Sequence, residues 1–152
     1  MLKRLKSLFE TPASPTATNQ FNDVQIAAAA LLVSAARMDA DFGEAERTRI
    51  HQILKKAHAL SDEEAGALIA LGEKEEGEAV DLFGWTRTLK DAYGEDERIR
   101  LIEQLWETVY ADGVLNDYEA SLLRRIAGLI YVPDRDTGLA RQRVLARLGA
   151  NG

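Results

Sequence analysis

From residue 21 onward, apolar positions recur at intervals of three and four, and apolar–polar alternation never lasts. That period belongs to amphipathic helices rather than strands. The densest run is "IAAAALLVSAA", residues 26–36, too short and too alanine-rich to span a bilayer, so it predicts a buried core helix. This first helix is expected over 22–39, with Ile26, Ala29, Ala30, Val33 and Ala36 on one side. A second, over 43–58, turns Ile50, Ile53, Leu54 and Ala57 inward. "SDEE" at 61–64 is a capping box that opens a third helix. A fourth covers 81–93 with Leu82, Trp85 and Leu89, and a fifth covers 95–111 with Ile99, Ile102, Leu105, Trp106 and Val109. "NDYE" caps a sixth helix reaching Tyr131, with Leu122, Leu123, Ile126 and Ile130 inward. Pro133 forces a break before a last helix carrying Leu139, Val144, Leu145 and Leu148. Trp85, Trp106, Tyr110 and Tyr131 fall at core-compatible positions and read as packing.

The pattern repeats. Shifted by 73 residues, Asp39 falls on Asp112, Phe42 on Leu115, Glu46 on Glu119, Ile50 on Leu123 and Ile53 on Ile126. Each copy is a long helix, an acidic turn and a second helix. Neither hairpin can bury its apolar face alone, so packing the two together is the simplest solution. The expected fold is all-α, a compact bundle of about seven helices with an internally duplicated helical hairpin.

Composition divides the chain into a basic N-terminal segment with a linker, residues 1–20, and a helical domain, residues 21–150. "TPASPTATN", with its prolines and small polar residues, is the linker. The net charge is −6, but residues 1–10 and 133–152 carry +2 each, which leaves −10 on the body between them. A body that acidic repels phosphate backbones, so no nucleic acid is expected as partner. Residues 1–10, with Leu2, Leu5, Leu8 and Phe9 able to share a face and Lys3, Arg4 and Lys6 outside it, suit a protein partner or an anionic membrane surface. The chain has no cysteine, which removes disulfides, thiolate metal sites and a cysteine nucleophile, and the N-terminus lacks the apolar run of a signal peptide. The expected location is cytoplasmic, with peripheral attachment to the inner membrane face open to the basic segment.

The candidate chemistry lies in the acidic turns. "YADGVLNDYE" looks like part of a calcium loop, but an EF-hand needs oxygen ligands at positions 1, 3 and 5 and a glutamate at 12. From Asp112, position 3 is Val114 and position 12 is Leu123; from Asp39, position 5 is Gly43 and position 12 is Ile50. Both frames fail. What remains is an aspartate ending one helix and a glutamate in the first turn of the next: Asp39 with Glu46, Asp112 with Glu119. Such a pair can converge at the hairpin corner and, with backbone carbonyls and water, hold a hard divalent cation, calcium or magnesium rather than zinc. Asp41, Glu44 and Asp117 stand nearby as further oxygens. With so few ligands the affinity would be on the order of 0.1–1 mM. The competing reading is capping: Asn116 with Glu119, and Gly43 with Glu46, fit a helix start and its dipole. Capping accounts for the glutamates but not for Asp39 and Asp112, which face the negative ends of helix dipoles.

Other candidates fall away. His51 and His58 have Thr48 and Lys55 three residues before them, not the glutamate of a di-iron bundle, and no further nitrogen or sulfur ligand suggests zinc. They are expected at the rim of the core or in solvent. No nucleophile elbow, phosphate-binding glycine loop or small-molecule substrate site is visible, so no enzyme and no catalytic residue is expected.

An apolar helix ending in "ADG", a short turn, and a glutamate before another apolar helix, given twice, resembles the TerB-like family, the tellurite-resistance TerB group and its bacterial relatives. "LWETVYADGVLNDYEASLLRRIAGLIYV" carries the resemblance best; the first copy departs from it with Ala40 where glycine is expected. The resemblance covers 21–148 and implies a compact helical domain of the bacterial cytoplasm, linked to tellurite resistance and stress responses. It implies work with metal ions or at the inner membrane face rather than catalysis. It places the family's acidic positions on Asp39, Glu46, Asp112 and Glu119.

Overall fold

The computed structural model describes residues 21–37, 43–78, 83–110 and 117–151. Seven helices fill these residues: α1 (Asp23–Ala36), α2 (Glu44–Ala57), α3 (Asp62–Glu78), α4 (Phe83–Ala92), α5 (Glu95–Val109), α6 (Asp117–Leu129) and α7 (Asp134–Asn151). No strand occurs among them. The segment 1–20 lies outside the described residues, as do Leu82 and Asn116.

The starts of the helices follow local chemistry. Asn22 Oδ1 accepts from the Gln25 amide at 2.8 Å while Gln25 Oε1 accepts from the Asn22 amide at 3.0 Å, a reciprocal box that satisfies two orphan donors of α1. Ser61 and Glu64 make the same exchange before α3, at 2.8 and 3.1 Å, as the "SDEE" motif predicts.

Helix α1 is the hub. Every residue from Ala27 to Val33 is buried, so the helix has no solvent face over two turns, and α2, α3, α4, α5 and α6 all pack against it. Alanine suits this place because its small side chain lets neighbouring backbones approach closely and costs no side-chain entropy. Helix α3 comes close enough that Gly72 meets the backbone of Ala29. Helix α5 packs on α1, α2 and α6, and α7 covers α5 and α6 from outside. Arg143 and Arg147 of α7 pair with Glu103 and Glu107 of α5, and Arg141 lies 5.5 Å above the Trp106 ring while donating to the Tyr110 hydroxyl at 2.8 Å.

Three expectations need correction. Ala57 is not inward: it ends α2, one turn beyond the buried Ile53 and Leu54, and is exposed. Leu139 and Leu145 are not inward: they are 41% and 40% exposed. Helix α7 instead buries Thr137, Ala140 and Val144, with Leu148 partly covered, a stripe at spacings of three and four along the face turned to the bundle. Tyr131 is not core packing either. It is 70% exposed and has φ of 64°, placing it in the left-handed turn after α6 rather than on the helix. The Val132 amide donates to Ala127 O at 2.8 Å and the Tyr131 amide to Gly128 O at 3.2 Å, the paired bonds of a Schellman cap. Pro133 follows and no helix can continue through it.

Candidate metal site at two helix starts

Glu46 is the third residue of α2 and Glu119 the third residue of α6. Gly43, extended at φ −86° and ψ −176°, caps α2, and its amide donates to Glu46 Oε1 at 3.1 Å. That is the capping bond foreseen from sequence. Glu46 is nevertheless only 7% exposed and Glu119 only 3%.

Two other glutamates serve as controls within the same molecule. Glu64 accepts from the Ser61 amide and Glu97 from the Gly94 amide, each at 2.8 Å and each at the third position of its helix. Glu64 is half-buried and Glu97 is exposed. The capping bond therefore does not require a carboxylate to leave water. Burial of an ionised carboxylate costs several kcal/mol unless charge or hydrogen bonds compensate it (roughly 2–7 kcal/mol even for a neutral polar group). Burial, not helix position, is therefore what sets Glu46 and Glu119 apart from Glu64 and Glu97.

Asp39 and Asp112, the other half of the proposed ligand set, lie outside the described residues, as does Asp41. Glu44 is exposed at the start of α2. Among the described residues no group of three or more His, Asp or Glu side chains gathers as a metal cage. His51 stands at the rim with Nε2 3.1 Å from the Asp62 carbonyl oxygen. His58 is the C-cap of α2, half-buried, and burial lowers its pKa below the ordinary value of 6.5.

Three cations of a second feature, Arg49, Lys56 and Arg100, had no role in the sequence reading. A groove of about 820 Å³ opens between α2 and α5 beside the start of α1, lined among others by Arg49, Gln52, Lys56, Arg100, Gln104 and Tyr93. A signal was present. Arg49, Gln52 and Lys56 follow one another at spacings of three and four, which puts long polar side chains on one helix face next to the buried Ile53.

No helix among the described residues is long and apolar enough to cross a membrane. Comparison with curated proteins and with solved structures gives no match. The family model described as "Tellurite resistance protein TerB" matches residues 25–142, a span that takes in most of α1, all of α2 to α6, both buried glutamates and the start of α7. The chain belongs to the TerB family.

Proposed function

We propose that this chain is a non-enzymatic stress-response module of the tellurite-resistance type whose two acidic turns take up divalent cations. The ligands are Asp39 and Glu46 in one turn and Asp112 and Glu119 in the other, with backbone carbonyls and water completing each shell. The observation that supports it is the burial of Glu46 and Glu119 at matching helix positions, in contrast to the capping glutamates Glu64 and Glu97 that keep contact with water. An all-oxygen set favours calcium or magnesium over zinc. Reading the two turns as copies of one hairpin makes the sites equivalent in kind, with the first the weaker because Ala40 replaces a glycine. The basic segment 1–10 suits attachment to a partner or to the anionic inner face of the membrane, and the cytoplasm is the compartment this reading requires.

The experiment is an NMR titration of the isotope-labelled full chain with calcium, magnesium, manganese and zinc, with an Asp39→Asn, Asp112→Asn variant beside it. Saturable amide shifts at both turns that vanish in the variant are the expected result. Flat turns at millimolar ion would sink the metal reading and leave helix capping as the whole role of the carboxylates.

A further inference from the structure

The groove between α2 and α5 mixes polar and apolar lining, and its cations outnumber its carboxylates. Its acidic members already have partners. Glu97 Oε1 accepts from the Gly94 amide, Glu103 pairs with Arg143 and Arg147, and Glu107 pairs with Arg147. Arg49 and Lys56 of α2 and Arg100 of α5 make no ion pair or hydrogen bond among the described residues. On a chain of net charge −6, the groove lining carries four cations, Arg49, Lys56, Arg100 and Arg147, against those three carboxylates.

The start of α1 adds to the same field. Val24 and Gln25 line the groove, and the capping box takes up the amides of Asn22 and Gln25 while those of Asp23 and Val24 find no acceptor among the described residues. A helix N-terminus with free amides favours anions. Guanidinium groups on both walls can each grip two oxygens of one tetrahedral anion, and Lys56 adds a point charge. Ile53, Leu101 and the half-buried Tyr93 supply apolar floor. The volume, 820 Å³, lies inside the roughly 300–1,000 Å³ of small-molecule sites.

We propose that this groove binds a small molecule bearing more than one phosphate, with the phosphate oxygens held by Arg49, Lys56 and Arg100. The site is separate from the acidic turns and does not depend on their binding metal. An extended acidic peptide is the competing occupant, since clustered arginines also recognise acidic motifs; the compact groove beside the free amides of α1 favours a small polyanion, and a hexaglutamate probe separates the two.

The test is a titration of the labelled full chain with inorganic pyrophosphate and with ADP, both in EDTA so that the cation sites stay out of play. The expected result is saturable amide shifts along Arg49–Ala57, Glu97–Gln104 and the first turn of α1, with Kd below about 1 mM for at least one probe. An Arg49→Gln, Arg100→Gln variant should keep the dispersed spectrum of the folded chain and bind roughly tenfold more weakly. An Arg124→Gln, Arg135→Gln variant, changed at exposed arginines outside the groove, should bind as the parent does. Shifts reproduced by sodium sulfate at equal ionic strength, or insensitive to the groove variant, would overturn the proposal. So would saturable binding of a hexaglutamate peptide with no response to either phosphate.

Discussion

Gly72 of α3 lies so close to Ala29 of α1 that a β-carbon on Gly72 would come within 2.8 Å of Ala29 Cβ and 2.9 Å of its carbonyl carbon. Only a glycine permits this approach, and it occurs where α1 is fully buried. The contact sets how tightly α3 can lie on the central helix.

Gly72→Ala is therefore expected to destabilise the fold even though alanine is the better helix former. Helix propensity favours alanine by about 0.8–1 kcal/mol, but overpacking against backbone costs typically about 1–3 kcal/mol. Gly66, on the same helix with nothing within 4 Å of its would-be Cβ, is the control. Gly66→Ala should stabilise by roughly 0.5–1 kcal/mol. Urea denaturation of the two variants should move the midpoint in opposite directions.

Ala59 occupies the left-handed region at φ 53°, just after α2, and the Leu60 amide closes the turn onto Lys55 O at 2.9 Å. An L side chain is strained there by about 1–2 kcal/mol, whereas glycine is not. Glycine gives part of this back through the entropy of the unfolded chain. Ala59→Gly is expected to raise the thermal midpoint, with a gain of up to about 1 kcal/mol.

The left-handed caps show where sequence reading stops. Glycine at the position after a helix announces such a cap; here the positions are held by Ala59 and Tyr131, so nothing in the letters marks them. Tyr131 accordingly reads as one more apolar residue of α6. The same limit applies to α7, where Leu139 and Leu145 look as apolar as Val144, and only the direction of the bundle decides which stripe is covered. The apolar period and "SDEE" were legible because they are local: one residue and its neighbours three and four away carry them. Burial of Glu46 and Glu119 was not, because a capping glutamate and a ligand glutamate occupy the same helix position and differ only in what lies around them. The groove went unread for a related reason: Arg49 and Arg100 stand on different helices, and only packing brings α2 beside α5.

His58 gives the fold a defined response to acid. Burial holds its pKa below 6.5, so the folded state resists a proton that the unfolded chain accepts. Above pH 6.5 the imidazole is neutral in both states and has no effect. As pH falls through 6.5 the unfolded state takes up the proton first and stability drops; the loss is complete once pH passes below the folded value. His58→Gln should remove this component. The difference between thermal midpoints at pH 7.5 and at pH 5 is expected to be smaller in the variant than in the parent, the carboxylates contributing equally to both.

Glu46 and Glu119 supply the sharpest test of the cation reading, because substitution by glutamine separates charge from shape. Glutamine keeps the side-chain oxygen that accepts from the Gly43 amide and removes the buried negative charge. In EDTA, Glu46→Gln should match or exceed the parent in thermal midpoint, since a charged group no longer has to be held out of water, and Glu119→Gln sets its own reference value. At 10 mM calcium the parent should gain on both variants. A site with Kd on the order of 0.1–1 mM stabilises the parent by about 1.4–2.7 kcal/mol through mass action, and a variant that has lost a ligand gains little. If the carboxylates only cap, calcium moves none of the midpoints and the three proteins keep the same order at every ion concentration. Melting curves of the three proteins with and without calcium decide between the two, because capping has no reason to answer to the ion.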